Sequence, residues 1–188
     1  MLGGHNKGDI LSNIHMCIHI HIKEGEYMGM DWNLFKGHIV GLEEDLFTLE
    51  TLRLLDKAKL YFGRLNETLY SGEELPDTDV VVNINLHDAQ AEYWRDTENK
   101  PIICLNIYDI DGEDDLKEIM AHEMVHEYCE IHHIKDVEPR TGRHTEEYRQ
   151  AAEAHGLHCE YEDDMSGWSI TTLTEAAKDL LVEDWRGL

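Results

Sequence analysis

The stretch Leu116-Lys117-Glu118-Ile119-Met120-Ala121-His122-Glu123-Met124-Val125-His126-Glu127-Tyr128 decides how the rest of this chain of 188 residues is read. At about 100° per residue, Leu116, Met120, Ala121, Met124, Val125, Tyr128 and Ile131 fill one half of a helical wheel. His122 and His126 fall just outside that arc, about 40° apart and one turn above each other, so their rings can grip one metal ion from the same side. Glu123 lies about 100° round from His122, where it can reach a water on such an ion without being a ligand itself. The chain has 13 histidines, so the bare His-Glu-x-x-His pattern carries little weight, and its place on an amphipathic helix is what strengthens it. Asp111, Asp114 and Asp115 precede the run, where carboxylates cap a helix and favour its positive end.

Working back from this helix, the spacing predicts strands. Pro101 opens an apolar run over 102–108, and Asp79 to Leu86 alternates Val80, Val82, Ile84 and Leu86 with Val81, Asn83 and Asn85. A further strand is expected over 89–94. Before these, Leu46, Leu49, Leu52, Leu55, Leu60, Phe62, Leu65 and Leu69 predict a long helix over 43–70, weakened by Gly63 and ended by Gly72 and Pro76. Residues 1–30 read as an extension, in which Ile14 to Ile22 alternate with His15, Cys17, His19 and His21 like a strand. His19-x-His21 is a candidate second metal pair, more ordinarily the wet face of a strand, and Met28 and Met30 are candidate natural starts.

Beyond the motif, residues 132–143 read as a loop, 144–156 as a helix ended by Gly156, and the rest as a packing tail with a Thr-rich patch at 171–174. A catalytic zinc takes three protein ligands and keeps one position open. His132 has the metzincin spacing, but Cys129 stands where glycine would let the helix break. Glu146 or Glu147 would supply a carboxylate from the following helix. His144, at the mouth of that helix, is the third candidate.

Several motifs in order carry a family resemblance: Leu65-Asn66-Glu67-Thr68-Leu69-Tyr70, then Leu75-Pro76; Ala89, Ala91, Tyr93 and Trp94; Leu105-Asn106; His-Glu-Met-Val-His at 122–126; and His144-Thr145-Glu146-Glu147-Tyr148. Over roughly residues 45–157 the chain resembles the SprT-like zinc metallopeptidase domain, a zincin. It departs from the family at Thr145, where Gly is usual, and at Tyr148, where Phe is common. The resemblance implies an α+β fold with a long N-terminal helix, a small three-stranded sheet, and a third ligand on the helix after the motif helix. It implies one zinc ion on His122, His126 and His144, Glu123 as general base, and hydrolysis of peptide bonds in a protein or peptide substrate. Arg143, Tyr148 and His155 are candidates for stabilising the oxyanion, and His155 also for supporting the ligands. An extended substrate is expected along the edge of the strand at 102–108.

The chain is expected to be one domain over 31–188 after the extension. Its formal charge is −24, from 16 Lys and Arg against 40 Asp and Glu. The family includes DNA-dependent proteases, so a DNA-associated protease acting on DNA-bound proteins is an alternative reading, though so acidic a surface disfavours nucleic acid and anionic membrane alike. Cys17, Cys104, Cys129 and Cys159 are scattered without Cys-x-x-Cys, which excludes a cysteine zinc ribbon and suits a reducing cytoplasm. No run approaches the length of a membrane span, and no signal peptide is evident. The rival class is a non-catalytic binding module clamped by zinc. A fourth ligand from Glu146, Cys129 or His155 would mark it.

Overall fold

Leu55, Ala58, Tyr61, Phe62 and Leu65 recur at three- and four-residue steps and are all buried, so one stripe of α1 (Leu46–Leu69) faces the core. The computed structural model describes residues 46–71, 75–83, 86 and 89–185; the expected strand near Ile14, the His19-x-His21 pair and the candidate starts Met28 and Met30 lie outside them. Leu49 and Leu60 do not belong to the buried stripe: both are exposed, because they fall out of phase with the Leu55-to-Leu65 row. Gly63 is exposed and the helix runs through it unbroken.

Three strands follow: β1 (Asp79–Asn83), β2 (Ala91–Arg95) and β3 (Pro101–Asn106). β3 is central, parallel to β1 with Val81 opposite Cys104, and antiparallel to β2 with Tyr93 opposite Ile103. Both faces of β3 are covered, Ile103 and Leu105 in one cluster and Ile102 and Cys104 in another, which is why its whole apolar run is buried. The same holds for β1, where the expected alternation fails. Val80 and Val82 join Ile103 and Leu105 in the main core, while Val81 packs with Ile102, Cys104 and Leu86 in a smaller cluster on the other face. The expected substrate edge at 102–108 is thereby corrected: β3 has a partner on each side, and the strand beside the motif helix with a side open among the described residues is β2.

The motif helix is α2 (Gly112–Ile131), with Leu116, Ile119, Met120, Ala121, Met124 and Val125 buried. Asp111 is its N-cap residue but makes no side-chain cap; instead Asp115 accepts the Asp111 N–H at 2.7 Å. The helix runs straight through Cys129 and stops at His132 and His133, where His133 takes φ 55° and the Ile134 N–H donates to Cys129 O at 2.8 Å. α3 (Glu146–Ala154) is capped by Thr145, whose hydroxyl accepts the Tyr148 N–H at 3.1 Å. Thr145 therefore has a local job as the cap of this helix.

The tail is more than packing. β4 (Leu157–Glu160) and β5 (Ile170–Leu173) form an antiparallel hairpin, and α4 (Glu175–Trp185) returns Ala177 and Leu181 to the core shared with α1. The fold is α+β. No described helix is long and apolar enough to cross a membrane.

Candidate metal centre

Three ring nitrogens meet at one point. His122 Nε2 and His126 Nε2 are 3.3 Å apart, and His144 Nε2 lies 3.1 Å from each. Two of the rings come from one face of α2, as the four-residue spacing requires. The third does not come from a helix. His144 sits before α3 in short extended bridges to Val137 and Gly167, which corrects the expectation of a ligand on the following helix.

Each Nδ1 is turned outward to a partner. His122 Nδ1 meets Thr171 Oγ1 at 2.9 Å, His126 Nδ1 meets Asp136 Oδ2 at 2.7 Å, and His144 Nδ1 lies 3.3 Å from Ser166 O. A carboxylate and a carbonyl can only accept, so those two Nδ1 atoms carry the proton and leave Nε2 as a bare lone pair. Burial foremost, and then His126, hold His144 down to about 4; burial with the other two rings holds His122 well below its ordinary value. Neutral imidazoles with converging lone pairs repel one another unless a cation lies between them. A tetrahedral ion with nitrogens at about 2.0–2.1 Å sets those nitrogens about 3.3–3.4 Å apart, close to the observed triangle. The three histidines lie close enough to hold one metal ion, their ligand atoms all within 4.8 Å of one another.

The Tyr148 ring is the floor under the site. It is fully buried, its centroid lies 5.2, 4.7 and 4.6 Å from those of His122, His126 and His144, and its hydroxyl donates to His122 O at 3.3 Å. Facing inward, it is not placed for an oxyanion. His155 is elsewhere, stacked on Tyr70 at 4.3 Å with Nδ1 donating to Ala151 O. Arg143 hydrogen-bonds the Tyr161 hydroxyl. His132 is exposed and rests on the Tyr128 ring at 4.1 Å, because the unbroken helix carries it past the site. Glu146 pairs with Arg149, Glu147 is exposed, and Cys129 is buried with its thiol pushed up to about 12 by burial and the Asp136 charge.

Glu123 is buried beside the edge strand. Burial and the Glu92 charge push its carboxyl up to about 7 against the pull of His126 and a hydrogen bond from the Tyr93 backbone. It is not among the ligand atoms that gather within 4.8 Å. β2 is held against the end of α2 by Glu130, which accepts from the Tyr93 hydroxyl and from Arg95 Nε at 2.7 Å. At Asp136, burial alone would raise the carboxyl, but the hydrogen bond and charge of His126 and the Val137 N–H bring it below its ordinary value.

Sequence reading missed Asp136, Ser166 and Thr171. The first sits in a loop and the other two in what looked like packing tail, so no periodicity or spacing ties them to the motif.

Against known proteins, no family model, no curated protein and no solved structure matches this chain. Fold and site together define an α+β chain with a three-histidine cluster fit for one metal ion.

Proposed function

We propose that this chain is a zinc metallopeptidase with a zincin-like, SprT-like core, hydrolysing peptide bonds of a protein or peptide substrate with Glu123 as general base. The observation that carries the reading is the triangle of Nε2 atoms of His122, His126 and His144, 3.1 to 3.3 Å apart, beside a buried carboxylate that is not one of the ligands. Three nitrogen ligands and no acid or thiol suit zinc in its catalytic rather than its structural coordination. The fourth ligands that would favour a closed clamp are engaged elsewhere: Glu146 with Arg149, His155 with Tyr70, and Cys129 in the core.

When bound, the ion supplies a Lewis acid that lowers the pKa of a water toward about 7 and polarises the scissile carbonyl. Glu123 takes the proton of the attacking water on its carboxylate and delivers it to the leaving amine. An extended substrate lies along β2, pairing with the backbone that also hydrogen-bonds Glu123. Asp136 and Ser166 hold His126 and His144 in one tautomer, and Thr171 orients the His122 ring. The buried cysteines Cys104, Cys129 and Cys159 support a reducing compartment such as the cytoplasm.

Glu123→Gln tests the reading. Zinc content should remain near one per chain while hydrolysis of an unfolded protein substrate falls by about two orders of magnitude or more. Turnover equal to wild type removes Glu123 from the role.

A further inference from the structure

The third ring of the site is positioned by a turn in the C-terminal hairpin. The His144 N–H donates to Ser166 O at 2.9 Å, and the Trp168 N–H donates to His144 O at 3.4 Å. The ring itself faces the same Ser166 carbonyl. The turn is closed by its own hydrogen bonds. Asp163 Oδ1 accepts the N–H groups of Met165 and Ser166 at 2.8 Å each, and Asp163 O accepts that of Gly167 at 2.9 Å. Trp168 anchors it to α3 under the Arg149 guanidinium, 5.0 Å from the ring centroid.

Gly167 takes φ 74°, and a Cβ there would lie 2.2 Å from His144 O. That distance is far inside contact, and the obstacle is backbone, so any side chain at 167 must displace His144 or the turn. Three residues after Trp168, β5 presents Thr171 to His122 Nδ1 at 2.9 Å. One hairpin thus grips two of the three rings from outside, from a region where no sequence motif points to metal.

We propose that the Asp163–Trp168 turn and Thr171 form a clamp that positions His144 and His122, with Gly167 and Thr171 as positioning residues, and that metal binding and hairpin docking are linked. The proposal rests on reading the three histidines as a metal site. An ion held by two rings that are themselves hydrogen-bonded to the hairpin strengthens its docking, and the docked hairpin presents the rings already aimed.

The test is zinc titration of the full chain against a competing chelator, with the visible spectrum of the cobalt-substituted protein and amide exchange over 157–173. Thr171→Val removes one hydrogen bond at nearly constant volume. It should weaken zinc about tenfold and alter the cobalt bands, while the metal-free protein still folds and melts only a few degrees below wild type. Gly167→Ala should weaken zinc by about ten- to a hundredfold. Zinc should slow amide exchange over 157–173 in the wild type. Wild-type zinc affinity and cobalt spectrum in Thr171→Val, with exchange over 157–173 indifferent to zinc, overturn the clamp even if Gly167→Ala fails to fold. If the wild type binds no zinc, or His144→Ala binds it equally well, the metal reading falls and the clamp with it.

Discussion

Glu127 follows His126 in the chain yet serves a different purpose. A fully buried residue, it accepts the Thr78 hydroxyl at 2.8 and 2.9 Å on its two oxygens. Burial above all, with Glu130 and Asp77 nearby, pushes its carboxyl up to about 7 against the pull of Thr78 and Arg95. An acid whose folded pKa is raised loses stability as pH climbs from its unfolded value, about 4.3, through the folded one, because the folded state resists the charge. Glu127→Gln keeps an acceptor for Thr78 and removes that charge. In the presence of chelator the variant should be more stable than wild type by up to about 3 kcal/mol at pH 8, with the gap closing toward pH 5. A difference in denaturant unfolding that stays flat across that range would contradict the assignment. Asp136 acts on His126 itself, orienting the ring through Nδ1. Asp136→Asn keeps the size but weakens the charge-assisted hydrogen bond, so zinc affinity should fall about tenfold or more. Chelator competition that finds unchanged affinity would make the carboxylate incidental.

Among the elements, α1 holds a residue that costs stability for no structural return. Gly63 is exposed in the helix interior, and a Cβ there meets nothing within 4 Å. Gly63→Ala should stabilise the protein by about 1 kcal/mol and leave zinc binding untouched, as thermal unfolding and metal titration would report. A destabilised variant would mean that the position has a contact partner. The sheet teaches a different point. Strand identity was legible in the runs at 79–86, 89–94 and 101–108, but strand order was not, and with it went the expected substrate edge. Apolar character marks a strand as buried without saying which neighbours bury it. In the same way the hydrophobic stripe of α1 could be read as helical, whereas Leu49 and Leu60 proved to lie outside it.

At the scale of the molecule, an ion at the three histidines would tie α2 to the loop before α3, and through Thr171 and Ser166 to the hairpin. Binding to the folded state alone at about a hundred times Kd adds about 2.7 kcal/mol, which raises Tm by roughly 5–10 °C for a domain of this size. Zinc should produce that rise and a chelator reverse it. The charge of −24 attracts cations everywhere, so His126→Ala is the control: the same rise in that variant would locate the effect on the surface instead. The amino-acid order alone determined the long apolar helix, the strands, and a helix with two histidines on one face, because these depend on periodicities of about 3.6 and 2 residues that local sequence displays. Tertiary structure decided the rest. It put β3 in the middle of the sheet, carried His132 past the site, aimed His144 from a bridge, and brought Asp136, Ser166 and Thr171 to the three rings. Contacts between segments ten to fifty residues apart follow from how whole elements pack, and no spacing within one stretch records them.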